Sequence, residues 1–342
     1  MDIRAQRAVV CGAGGFIGGH LVKGLLRSGV QVVRAIDIKP VEQWYQAVEG
    51  VENLSLDLKD MHSCLFAADG ATHIYQLAAD MGGMGFIEKN KALCMLNVLP
   101  NTNMLLAAKE VGVHRYFFAS SACVYNAQKQ TNPNVIALKE SDAYPASPED
   151  GYGWEKLFSE RMCRHFEEDF GLICRVARYH NVYGPYGTWA GGREKAPAAI
   201  CRKVIEAKMS GVHTIRIWGS GEQTRSFMYI DDCIKGTQMI MQSDIHDPIN
   251  LGSRELVTIN QLVDIAEDIA GIKLERIYDL NAPKGVNGRN SDNSMILQRL
   301  GWEPSIRLRD GLEKTYRWIE SEMWAEPKPA ELRSNRVLAV LR

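Results

Sequence analysis

Residues 8–18, AVVCGAGGFIG, set a short apolar run directly before a turn with glycines at 12, 15 and 18. No other stretch constrains the chain as much. A buried strand that turns on glycines into a helix is the usual opening of a parallel, doubly wound α/β sheet. The glycines let backbone N–H groups approach a pyrophosphate at a helix N-terminus, where the dipole favours anions. The amphipathic run HLVKGLLRSG follows, then a second strand, VQVVRAID, that ends in Asp37. A carboxylate there binds ribose hydroxyls and repels a 2′-phosphate, so the expected cofactor is NAD rather than NADP.

The alternation continues. Strands are expected in HIYQLAA (73–79), HRYFFAS (114–120) and ICRVARYHNVYG (173–184), with helices in NTNMLLAAKEVG and YGWEKLFSERMCRHFEEDFG. This pattern predicts a Rossmann-type sheet. From Gly187 the chain becomes loop-rich, GTWAGGREKAPAA, and then mixes short strands with helices. The tail 325–342 opens with prolines, and packing on the surface or on a partner subunit would both suit it.

Composition matters here mainly for what it excludes. A net charge of -1 across 342 residues gives no general reason to expect nucleic acid or an anionic membrane as partner. No window is apolar enough to span a bilayer, and the first strand comes too early for a signal peptide. The eight cysteines form no CxxC pair, and several lie in apolar runs, as Cys11 does in RAVVCG. Reduced thiols in a cytoplasmic protein suit that pattern better than disulfides or zinc, and no metal is assigned.

Tyr152 and Lys156, in YGWEK, fall on one helix face at a spacing of four. A lysine ammonium and a cationic nicotinamide nearby would favour the phenolate, making Tyr152 a usable base. Cys123, in SSACVY (120–125), poses a choice between a space-filling thiol and a reactive one.

Together, GAGGFIG, Asp37, Asp57-Leu58, the Ser121 region, YGWEK and NVYGP (181–185) resemble the extended short-chain dehydrogenase/reductase family. The resemblance implies a Rossmann unit over 1–186, a segment around 226–252 returning to it, and a smaller nucleotide-sugar unit over 187–342. It implies NAD held by Gly12, Gly15, Phe16, Ile17, Gly18, Asp37, Asp57, Leu58, Leu77, Ala78 and Ala79, with Tyr152 and Lys156 at the reacting end. Family 4,6-dehydratases carry Thr-Asp-Glu where this chain has Ser121-Ala122-Cys123, so the acid pair for dehydration is missing.

Further runs, AADMGGMGFI (78–87), GTWAGGREKAPAA (187–199), GEQTRSF (221–227) and GVNGRNSDN (285–293), are similar to those of family epimerases that invert a GDP-hexose at C3 and C5. By that resemblance Tyr152 takes the C4 hydroxyl proton, Ser121 hydrogen-bonds the hydroxyl, and the 4-keto group acidifies C3 and C5. Cys123 and Lys195 are then the base and acid on opposite ring faces. Gly82, Asn181, Glu194 and Lys203 match sugar- or diphosphate-contacting positions. Gln223 and Arg225 match a nucleotide-contacting stretch, and Arg289 matches a diphosphate arginine. Three residues depart from the pattern: Asn126 stands for proline, Trp154 for leucine and Asn287 for arginine. A homodimer built on two helices per subunit is implied, with the runs 92–96 and 158–166 available for it or for the sheet. An epimerase of another GDP- or UDP-sugar, C5-only inversion to GDP-L-gulose, or a non-catalytic NAD-binding sensor are the competing readings.

Overall fold

The short β-branched and apolar runs of the first half have almost no polar face, so they are stable only where helices cover both sides of a sheet. A computed structural model describes residues 7–283 and 285–325; the C-terminal tail from residue 326 lies outside them. Strands β1 (Arg7–Cys11), β2 (Val32–Asp37), β3 (Glu52–Ser55), β4 (His73–Gln76), β5 (Arg115–Ser121) and β6 (Ile173–Tyr179) join Ile249–Leu251 in one seven-stranded sheet. All its pairings are parallel, and the order across it is Ile249–Leu251, β6, β5, β4, β1, β2, β3. Strand order reverses between β1 and β4, which opens a crevice at their C-terminal ends.

Most expected elements appear with small shifts in their ends. The run 173–184 is the exception, because it is broken rather than continuous. The sheet strand stops at Tyr179, Asn181 takes a left-handed φ of 41°, and Val182–Tyr183 pairs instead with Met228–Tyr229. Asparagine tolerates that backbone better than most residues. At this bend Asn181 Nδ2 donates to Ser226 O at 3.0 Å.

Beyond the sheet, Thr224–Ser226 lies between Leu256–Thr258 and Gly288–Arg289, and Thr214–Trp218 pairs in parallel with Glu275–Asp279. Two large apolar clusters fill the opposite faces of the main sheet, one through Val10 and Phe117, the other through Val9 and Phe118. Alternate residues of one strand thus anchor separate helical layers. No described helix is long and apolar enough to cross a membrane.

Candidate active site

The crevice is a cavity of about 620 Å³ along the C-terminal ends of the strands. Gly12 sits at its floor with φ 84°, and a Cβ there would come within 3.0 Å of Ala78 Cα. At Gly18 a Cβ would lie 2.1 Å from Gly12 O, so turn and helix close on each other only without side chains. The helix Phe16–Arg27 begins with Gly15 as its N-cap and aims its first N–H groups at this space. Asp37 ends β2 at the cavity wall, with Oδ1 accepting from Lys39 N at 3.0 Å. Asp57, Leu58, Leu77, Ala78 and Ala79 complete that wall, beside Phe16 and Ile17. A dinucleotide with free ribose hydroxyls fits this donor set and cradle.

The reacting end is set by the helix Asp150–Phe170 against the end of β5. Tyr152 and Lys156 both line the cavity and are buried. Burial pushes the Tyr152 phenol well above its ordinary value, Cys123 and Glu155 add to that, and the Ser121 hydroxyl opposes it by hydrogen bonding. The Lys156 ammonium lies 5.6 Å from the Tyr152 ring centre and 4.6 Å from that of Phe118. Ser121, Asn181, Gly82 and Lys195 also line the cavity. Lys195 is the last residue before the helix Ala196–Ser210, whose start is fixed by Pro197. Burial lowers the Lys195 pKa; the neighbouring Cys123 thiol opposes that shift and Arg289 reinforces it.

Cys123 occupies a one-turn 3-10 helix after β5, its N–H donating to Ser121 Oγ at 3.2 Å. Its carbonyl accepts from Glu149 N at 3.1 Å, and a Cβ on Gly153 would fall 2.3 Å from that carbonyl. The start of the Tyr152 helix is therefore seated directly on the Cys123 backbone. Arg289 Nη1 stands 3.5 Å from the Cys123 sulfur, while Arg289 Nε donates to Gln130 and Nη2 to Glu149, each at 2.6 Å. Arg225 is in the same field: burial and then the Arg289 charge lower its pKa to about 10. The other seven cysteines are buried, and burial pushes Cys64 and Cys233 up to about 12.

Cys123, Arg225 and Arg289, like Lys203, Gln223 and Glu194, are not among the residues that line the cavity. Lys203 Nζ donates to Arg216 O at 2.8 Å and lies over Trp218, and Gln223 Nε2 donates to Trp218 O at 2.7 Å. Glu194 pairs with Arg202 at 3.2 Å and accepts from Gly192 N. Asn287 Nδ2 donates to Thr131 O at 2.8 Å, tying its loop to the segment before it. Lys39, Glu149, Glu155 and Gln130 were not among the site residues expected from the sequence. For Lys39 its closeness to Asp37 was an available signal. The other three carried none, because their partners come from distant segments or from an ordinary-looking helix.

Residues 8–252 match the model of the NAD dependent epimerase/dehydratase family, and the chain belongs to that family. GDP-mannose 3,5-epimerase 1 of Oryza sativa subsp. japonica is 46% identical over 94% of this chain and 83% of its own length. GDP-mannose 3,5-epimerase of Arabidopsis thaliana is 45% identical over 93% and 83%. Among solved structures, UDP-glucose 4-epimerase from Thermotoga maritima with UDP-glucose has a TM-score of 0.82 at 24% identity, covering 93% of this chain and 99% of that one. That likeness concerns the fold.

Proposed function

We propose that this chain is a GDP-mannose 3,5-epimerase, converting GDP-D-mannose to GDP-L-galactose through a transient 4-keto sugar. The observation that carries the reading is one constellation with two kinds of proton-transfer group. Tyr152, Lys156 and Ser121 line the NAD-sized crevice, and Cys123 and Lys195 stand beside them within one electrostatic field. Relatives bearing the activity at 46% identity support it.

Bound NAD supplies a reversible oxidation at sugar C4. Burial holds the Tyr152 phenol protonated. The Lys156 ammonium, with a bound cationic nicotinamide, would favour the phenolate that accepts the C4 hydroxyl proton, while Ser121 orients that hydroxyl. The resulting carbonyl acidifies the hydrogens on C3 and C5, so one acid/base pair serves both centres. Cys123 removes a proton from one face of the ring, and Lys195 returns one to the other. A lysine whose pKa is lowered by burial is a better proton donor near neutral pH than a solvated one. By the resemblance, Gly82 would approach the hexose, Asn181, Glu194 and Lys203 the sugar or diphosphate, Arg289 the diphosphate, and Gln223 and Arg225 the nucleotide.

We assign residues 1–186, joined by 226–252, to the cofactor unit, and 187–342 mainly to the nucleotide-sugar unit. We also assign a homodimer. Met95, Leu96, Leu99, Leu106, Trp154 and Phe158 are exposed on three neighbouring helices, an apolar face that a second copy would cover. A cytoplasmic location agrees with eight free cysteines.

The test is incubation with GDP-mannose in D2O, with the sugar read by NMR and mass spectrometry. Deuterium at both C3 and C5 with a galacto product supports the reading. Label at C5 alone points to gulose formation, and no label removes GDP-mannose as substrate.

A further inference from the structure

Glu149 precedes the Asp150 helix, and its side chain turns inward to 12% exposure. Through its N–H it holds the Cys123 carbonyl, and through Oε2 it holds Arg289 Nη2 at 2.6 Å. The Val286 N–H also reaches its carboxylate. One residue thereby joins the Cys123 turn, the start of the Tyr152 helix and the loop leading to Arg289.

Each nitrogen of the Arg289 guanidinium has a partner: Gln130 at Nε, the Cys123 sulfur at Nη1, and Glu149 at Nη2. Among those hydrogen-bond partners, the one carboxylate is Glu149. Burial alone would push Glu149 up, yet the Arg289 charge and hydrogen bond, helped by Arg225, hold it below its ordinary value. Taking this carboxylate away would leave the buried Arg289 guanidinium without the one carboxylate among its hydrogen-bond partners, with the Arg225 charge nearby, a costly arrangement. Arg289 would then turn away from Cys123. The C4 half of the site has its own buried carboxylate, Glu155, 3.7 Å from Lys156. The two halves are thus supported by different acids.

We propose that Glu149 is the positioning residue for proton transfer at C3 and C5, holding the Arg289 guanidinium against the Cys123 sulfur. The inference rests on the proposed function, because it matters only if Cys123 moves protons.

The test uses Glu149→Gln, which keeps the size and removes the charge, and Glu149→Asp, which keeps the charge on a shorter arm. Full-length protein turns over GDP-mannose in D2O while the near-ultraviolet absorbance of reduced nicotinamide is followed. Glu149→Gln is expected to slow deuterium incorporation roughly tenfold or more while C4 oxidation continues. Reduced cofactor should build up during turnover, and Glu149→Asp should recover part of the rate. Incorporation within about twofold of the parent would overturn the proposal. So would loss of C4 oxidation and exchange together, because a general collapse of the site does that. If Glu149→Gln does not fold, Glu149→Asp decides: slowed exchange with reduced cofactor accumulating supports the role, and parent-like exchange ends it. A parent that incorporates no deuterium removes the proposed function, and this inference with it.

Discussion

The Lys156 ammonium stands 3.7 Å from the Glu155 carboxylate, and both side chains are almost wholly out of water. Neighbours in sequence, they form a buried ion pair on the helix that carries Tyr152. Glu155 also accepts from Ser159 Oγ at 2.9 Å, which fixes its rotamer along the helix. Breaking such a pair from one side leaves an uncompensated buried charge, and about 3 kcal/mol is a typical cost. Glu155→Ala should therefore lower the urea midpoint clearly, although the Phe118 ring under Lys156 softens the loss. A midpoint equal to the parent's would mean that Lys156 finds other solvation.

Cys123 and Lys195 are expected to separate from Tyr152 in their effects. Tyr152→Phe should abolish both C4 oxidation and exchange. Cys123→Ala and Lys195→Met should each cut deuterium incorporation by roughly 10²- to 10⁴-fold while leaving C4 oxidation detectable. Spectroscopy of the bound cofactor distinguishes the two patterns. Equal loss of both steps in Cys123→Ala would return that thiol to a packing role.

The alkaline side of the pH profile should report Lys195. It delivers its proton as an ammonium, and that form is lost as pH rises through its pKa. Burial places this pKa below the ordinary lysine value, so exchange should decline at lower pH than for a solvated lysine. Lys195→Arg should remove that decline along with most of the rate, because a guanidinium stays charged. An unchanged alkaline limb in the arginine variant would assign the limb to another group.

Acid stability should carry a contribution from Glu149. Its folded pKa lies below the ordinary carboxylate value, which it takes when unfolded. The stabilisation is present in full above that ordinary value and disappears as pH falls through the depressed one. Glu149→Gln should be less stable than the parent near neutrality and approach it in acid. Urea midpoints across the acid range check this, and a gap that stays constant with pH would refute it.

The exposed face through Trp154, Phe158 and Leu106 predicts a dimer that a single charge can split. Phe158→Glu should sediment as a monomer at concentrations where the parent sediments as a dimer. A monomeric parent would leave this face without its second copy.

The local parts of the site were legible in the sequence because they depend on a few consecutive residues. The glycine turn, Asp37 closing β2 and the Tyr152/Lys156 spacing are fixed by strand and helix geometry alone, and all meet at the crevice. Resemblance added Cys123, Lys195 and Arg289 as separate points along the chain. Their mutual placement came only from tertiary structure. Arg289 reaches Cys123 across 166 positions, and Gln130 reaches Arg289 across 159. Glu149 and Glu155 carried no signal in the sequence, and Asn181 read there as part of a continuous strand. Whether a carboxylate faces water or a buried cation depends on what the rest of the chain packs against it, and no local pattern encodes that.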